Sequence, residues 1–211
     1  MSSNEKVASR YDKWSYFYDF VDNFPVISRP QRTWRMNSVE ALDLGGDELV
    51  LDVGTGSGYM LPDIAKRVID GQVIGSDISE GMLYRAERRA AMEGVDDRVR
   101  TVKDDIEGSK FPSDHFDKLI TTFTLTTVPN PMKAIKECHR ILKEGGKMVV
   151  LDTGKPDGLS KLFFYPMMLS AKLFGKTHMD RDIKGALEEH FDIVESKEYM
   201  CGMVYLLCCE K

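Results

Sequence analysis

The sequence has few cysteines, and their spacing suits neither of their usual structural uses. Cys138, Cys201, Cys208 and Cys209 form no C-x-x-C pair and no even framework, which argues against a disulfide-stapled module and against metal ligation. They are expected to be reduced, as in a cytosolic protein. A long apolar run is also missing. The most apolar stretch, 162–174, contains Pro166 and Lys172 and falls well short of the roughly 20 residues that cross a bilayer. The first residues, MSSNEKVASRYDKW, are polar and charged, unlike a secretory signal. Nor is there an excess of positive charge: the formal net charge is −5 and the pI about 5.5. A broad nucleic-acid footprint is therefore not expected. The expectation is a cytoplasmic protein that at most rests on a membrane surface.

What is present is the composition of one globular domain: 211 residues, 42% apolar and 30% charged, enough for a single sizeable core. Short β-branched or apolar runs alternate with helical periodicity, the pattern of a mainly parallel sheet covered by helices on both faces. Strands are expected at 49–53, 72–76, 99–102, 116–122 and 147–151. After the first of them, Leu61, Ile64, Ala65 and Val68 fall at helical spacing. Ser79 is placed to cap a helix presenting Met82, Leu83, Ala86 and Ala90, and Asn130-Pro131 to open one that runs to the Gly145-Gly146 turn. A helix is expected over 180–190, then strands near 191–197 and 203–208 around Gly202, as an antiparallel pair. The predicted fold is a doubly wound, Rossmann-like α/β domain with a mostly parallel seven-stranded sheet and an antiparallel C-terminal strand pair. Its expected parts are a helical cap (1–45), a ligand-binding core (46–152), a substrate-side amphipathic segment (153–190) and the strand pair (191–211).

The segment Val50–Gly58 reads VLDVGTGSG. Glycines after a strand let the backbone turn sharply and approach a ligand, and the helix that follows offers unpaired N–H groups. A dinucleotide fingerprint would place its third glycine at position 59, where Tyr59 stands, and there is no G-K-[ST] ending for a phosphate cradle. A carboxylate beside the loop, Asp52, would repel pyrophosphate but suit a cationic ligand with an amino group, which points to a sulfonium. Asp77 ends the second strand, where it can accept from ribose hydroxyls. Asp104-Asp105 end the third, where a carboxylate can accept from an adenine amine.

These residues resemble the class I S-adenosylmethionine-dependent methyltransferases, over about residues 8–152. The family's acid-x-G-x-G-x-G pattern is met by Asp52, Gly54, Gly56 and Gly58, and its ribose-binding acid by Asp77, with Ile78 beside it. The resemblance implies that Met82 packs on the adenine, that Asp105 and the Ile106 backbone meet its edge, and that Thr122 lies at the site. FTLTTVPNPMKAIKECHRILKEGG resembles the group that includes quinone and phospholipid methyltransferases, often called type 11. In that group the aromatic start, here YDKWSYFYD, often folds over the cofactor, which makes Tyr11 a contact. The implied cofactor is S-adenosylmethionine, with S-adenosylhomocysteine as product. No metal is implied.

Two features depart from the group. Thr126-Thr127 stand where many relatives carry histidine, and a threonine hydroxyl is no base near neutral pH, so no catalytic residue is assigned. Glu144 replaces the proline of an L-K-P-G-G turn. His115, His139 and His178 are read as structural or surface residues. Methyl transfer from a sulfonium is an in-line displacement that mainly requires the acceptor to be held on line. The stretch LSKLFFYPMMLSAKLFGK is apolar with flanking lysines, and 155–184 carries a net charge of +3. Such a segment can lie on an anionic membrane or cover a greasy substrate. The expected partner is therefore a small-molecule or lipid-like acceptor, a phospholipid headgroup amine or a quinone, with peripheral membrane contact through 159–176. The alternatives are a soluble small-molecule acceptor or a non-catalytic cofactor-binding module.

Overall fold

The computed structural model describes residues 25–154 and 181–211. Tyr11, the aromatic start and the amphipathic stretch 159–176 lie outside the described residues. The elements in chain order are α1 (Pro25–Ala41), β1 (Leu49–Val53), α2 (Leu61–Ala65), β2 (Gln72–Asp77), α3 (Glu80–Met92), β3 (Val99–Lys103), β4 (Phe116–Thr122), α4 (Pro131–Ile141), β5 (Leu142–Thr153), α5 (Ile183–Glu188), β6 (Asp192–Tyr199) and β7 (Val204–Glu210). A short 3-10 turn, Ile106–Gly108, follows β3.

The seven strands form one sheet in the order β3-β2-β1-β4-β5-β7-β6. The first five strands run parallel, and β7 pairs antiparallel with both β5 and β6. The sheet is covered on both sides, and the strand sequences show why. Because successive side chains alternate faces, Leu51, Val53, Leu119, Met148, Val150, Leu207 and Cys209 join one core with α4 and α5. Val50, Ile120, Val149, Leu151, Leu206 and Cys208 join the other, against α1, α2 and α3. Strands buried on both faces read as continuous apolar runs. Cys208 and Cys209 thus pack into opposite cores, and all four cysteines are free.

Local chemistry sets most of the helix ends. The Ser79 hydroxyl accepts from Met82 N, and the Asn130 side chain accepts from Lys133 N ahead of Pro131. Four expected element spans need correction. The helix after β1 stops at Ala65 rather than reaching Val68, although Val68 remains buried in the same core. The helix opened by Pro131 ends at Ile141, not at the glycines, because Leu142 is extended and pairs with Phe116 of β4. Strand β5 therefore begins five residues before the expected Lys147 and passes through Gly145 at φ 71. The helix expected over 180–190 is confined to Ile183–Glu188, capped by Asp182.

α1 is held at the sheet by stacking of Trp34 on Tyr199, ring centroids 5.6 Å apart, and by a 3.0 Å bond from Asn37 Nδ2 to the Tyr199 hydroxyl. This positions one helix turn, including Arg35, beside the carboxyl ends of the parallel strands.

Candidate functional site

The strand order reverses between β1 and β4, and their carboxyl ends diverge into the loops that follow. A crevice at such a point is where doubly wound sheets bind ligands. A cavity of about 300 Å³ occupies it, walled by the loop after β1, the ends of β2 and β3, and the segments after β4 and β5. Of the residues singled out from the sequence, Gly54, Gly56, Asp77, Ile78, Met82, Asp105, Ile106 and Thr122 all line this cavity. Residues up to 68 positions apart in sequence are gathered here because the parallel strands deliver their ends and the loops and helix starts after them to the same edge.

The glycine loop is held from behind. Thr55 N donates to Ser76 O at 2.9 Å and Gly56 N to Asp77 Oδ2 at 3.0 Å, while Asp77 Oδ1 accepts from Ser79 N at 2.9 Å. One carboxylate therefore joins the loop to the cap of α3 and also lines the cavity. Gly54, Gly56 and Gly58 have φ of 69°, 54° and 72°, the left-handed region in which a side chain is strained. A Cβ on Gly58 would meet Ala86 Cα at 2.7 Å, so this glycine lets α3 pack against the loop. A Cβ on Gly56 would meet no described residue within 4 Å; among the described residues that side is open for a ligand.

Asp52 is placed differently from the expectation that its carboxylate faces the ligand. It is 1% exposed, absent from the cavity wall, and accepts from the Thr55 hydroxyl at 2.6 Å. It acts on the loop from beneath. Burial pushes its carboxyl up to about 7, with Asp77 adding to the rise and Thr55 and Arg35 opposing it. Asp104 and Asp105 both line the cavity. Asp105 Oδ1 caps the 3-10 turn through Glu107 N at 3.1 Å. Asp104 Oδ1 accepts from Lys110 N at 3.0 Å, and its Oδ2 is buried with no partner among the described residues. A buried acceptor without a donor is costly unless a ligand supplies one. Together, the orphaned Asp104 oxygen, the Asp77 carboxylate and the bare face of Gly56 fit a nucleoside that brings hydroxyls and an exocyclic amine.

Sequence reasoning missed two parts of the wall. Arg35 from α1 stands 4.7 Å from the Tyr59 ring centroid and 5.7 Å from that of Phe123, and all three line the cavity. The Tyr59 ring also lies 5.3 Å from the Arg89 guanidinium. The arginine was unreadable because nothing local says which strand end its helix crosses. Phe123 has φ 55 and donates its N–H to Leu151 O at 2.7 Å, a strained conformation for a bulky residue that turns the chain out of β4. The second part is the Thr126 hydroxyl after β4 and the Thr153 hydroxyl at the end of β5, backed by the buried Asp152 carboxylate. Thr126 donates from Oγ1 to Asp152 Oδ1 at 2.6 Å and from N to Oδ2 at 3.2 Å, and Thr153 N donates to Oδ1 at 2.7 Å. Asp152 is wholly buried, and burial raises its carboxyl above the usual range against these bonds.

Known proteins agree with this geometry. A family model described as a methyltransferase domain matches residues 51–150. The chain is 31% identical over 202 residues to the ubiquinone/menaquinone biosynthesis C-methyltransferase UbiE of Proteus mirabilis, covering 94% of this chain and 77% of that protein. It is 31% identical over 179 residues to the demethylmenaquinone methyltransferase of Geobacillus kaustophilus, covering 83% and 75%. Among solved structures, the [4+2]-cyclase SpnF superposes with a TM-score of 0.81 at 18% identity, covering 99% of this chain and 96% of that one. At that identity the likeness concerns the fold alone.

Proposed function

Because the chain belongs to the class I S-adenosylmethionine-dependent methyltransferases of the type 11 group, we propose that its acceptor is the hydroquinone ring of a quinone precursor. The observation that carries this reading is the extent of the match to the C-methyltransferase of quinone biosynthesis. It runs over 94% of the chain, so it takes in the segments after β4 and β5 that flank the acceptor side as well as the loop that holds the cofactor. A phospholipid headgroup amine, the other lipid-like acceptor expected from the sequence, has no such support.

The residues divide the work by chemistry. Asp77 would hold the ribose hydroxyls, Asp104 or Asp105 the adenine amine, and Met82, Ile78 and Ile106 the apolar faces of the base. S-adenosylmethionine supplies an electrophilic methyl group with a neutral thioether as its leaving group. Phe123, Val128 and Pro129 give the acceptor side an apolar wall suited to a planar ring. The half-buried hydroxyl of Thr153 gives it a polar point. This arrangement excludes water from one face of a ring and holds one of its oxygens, which is what orienting a ring carbon requires.

The test follows labelled methyl from S-adenosylmethionine in parallel reactions with a reduced demethylmenaquinone, phosphatidylethanolamine vesicles and a panel of water-soluble phenols and amines. Label on the carbon skeleton of the quinone is the expected result. Label in the phospholipid or the aqueous panel, with none in the quinone, overturns the assignment of the acceptor.

A further inference from the structure

A ring hydroxyl must lose its proton for the ring to become a good nucleophile, and the chain has no histidine at 126–127 to take it. The end of β5 offers another route. The Thr153 hydroxyl lies 3.3 Å from Thr126 Oγ1, and Thr126 Oγ1 lies 2.6 Å from Asp152 Oδ1. In the state with Asp152 ionised, its carboxylate only accepts hydrogen bonds, so Thr126 spends its single hydroxyl hydrogen on Asp152. Thr126 can then only accept from Thr153, which spends its own hydrogen in turn. Thr126 and Asp152 are fully buried, whereas Thr153 is half-buried and lines the cavity. That ionised state sets the polarity of the chain. Its cavity end is an acceptor, ready for an O–H group and unable to donate to a carbonyl.

We infer that Thr153, Thr126 and Asp152 form a proton relay that ionises an acidic hydroxyl of the methyl acceptor. In the step, the acceptor O–H bond breaks and its proton bonds to Thr153 Oγ1. The Thr153 proton passes to Thr126 Oγ1, and the Thr126 proton to Asp152 Oδ1. The acceptor becomes an oxyanion and the carboxylate a neutral acid, with no oxidant or reductant involved. After methyl transfer to the ring carbon, that carbon's C–H proton leaves to solvent as the ring regains aromaticity, and the acid returns its proton along the same chain to the product oxygen. Thr153 is the residue that touches the acceptor; Thr126 and Asp152 are positioning residues that give it basic character. Burial raises the proton affinity of Asp152, which brings it closer to that of a phenol and favours the transfer. Among the described residues, Tyr205 of β7 stands opposite Asp152 in the sheet register, and Asp152 and Asp182 ahead of α5 both act on it. Burial and these two acids push the Tyr205 phenol far up, so it stays neutral and does not compete as a base.

The relay rests on the hydroquinone reading, and the experiment separates the two. The full-length protein, S-adenosylmethionine and a reduced demethylmenaquinone are used with wild type, Asp152→Asn, Thr153→Val and Thr153→Ser. Asp152→Asn and Thr153→Val should each lower kcat at neutral pH by about 100-fold or more. The remaining rate should climb with pH as hydroxide replaces the lost base. Thr153→Ser, which keeps the hydroxyl, should recover most of the rate, and S-adenosylhomocysteine affinity by calorimetry should stay at the wild-type value throughout. Thr153→Val leaves the buried carboxylate intact, so it decides the matter if Asp152→Asn fails to fold. Wild-type kcat and pH profile in Thr153→Val overturn the relay while the quinone reading stands. If wild type methylates no hydroquinone, that reading falls, and the relay is judged with 4-nitrophenol. Absorbance of the bound phenolate in wild type that is lost in Thr153→Val supports it; equal absorbance, or no binding, overturns it.

Discussion

Asp52 and Asp77 end adjacent strands, yet their surroundings give them opposite tasks. Asp77 faces the cavity with both oxygens bound to backbone N–H groups. Asp77→Ala should weaken S-adenosylhomocysteine binding by about 1–3 kcal/mol, from lost hydrogen bonds to the ligand and a loosened loop. Isothermal calorimetry checks it, and unchanged affinity removes Asp77 from the site. Asp52 lies under the loop with its carboxyl raised from 3.8 to about 7. Between those values the folded protein holds a proton that the unfolded chain has released, so stability falls as pH rises across the window. The contribution is on the order of 2–4 kcal/mol. Urea unfolding of wild type and Asp52→Asn at pH 5 and pH 8 should show a flatter dependence in the variant. The acids were visible as residues in the sequence. Which one touches ligand was not, because burial and the direction of a side chain on a strand depend on the neighbouring strands.

At the scale of single elements, the glycine loop separates packing from binding. Gly58→Ala would press a methyl group on the Ala86 backbone of α3 at a positive φ. It should cost about 2–4 kcal/mol of stability, combining left-handed strain and overpacking, measured by chemical denaturation. Gly56→Ala meets no described residue. It should cost about 1–2 kcal/mol of stability but weaken cofactor binding, since its methyl group stands where the ligand approaches. If both variants lose stability equally and bind equally, this division is wrong. The loop, the Ser79 and Asn130 caps and the central strands were legible because each is written in contiguous residues. The early end of α4 was not. Helical propensity continues to the glycines, and only pairing of Leu142 with Phe116 pulls the chain into β5 sooner.

For the whole molecule, the arrangement of parallel strands brings the donor and acceptor halves of the site to one edge, and α1 adds Arg35 to it from outside the core. No described helix is long and apolar enough to cross a membrane. The apolar, basic stretch 159–176 lies outside the described residues, and we propose it as a peripheral contact. Flotation with anionic vesicles should carry the protein upward, neutral vesicles less so, and salt should reverse the effect. Indifference to anionic vesicles would argue against that contact.

The amino-acid order by itself determined the fold class, the glycine loop and the kind of ligand it suits, because periodicity, turn residues and a short motif act over neighbouring positions. Tertiary structure decided that Asp52 supports rather than touches, that Asp104 brings an orphaned oxygen to the cavity wall, and that Arg35 joins that wall. It also put Thr126 and Thr153 in line with a buried carboxylate 26 positions from Thr126. Each of those depends on distances across the sheet, which no local pattern encodes.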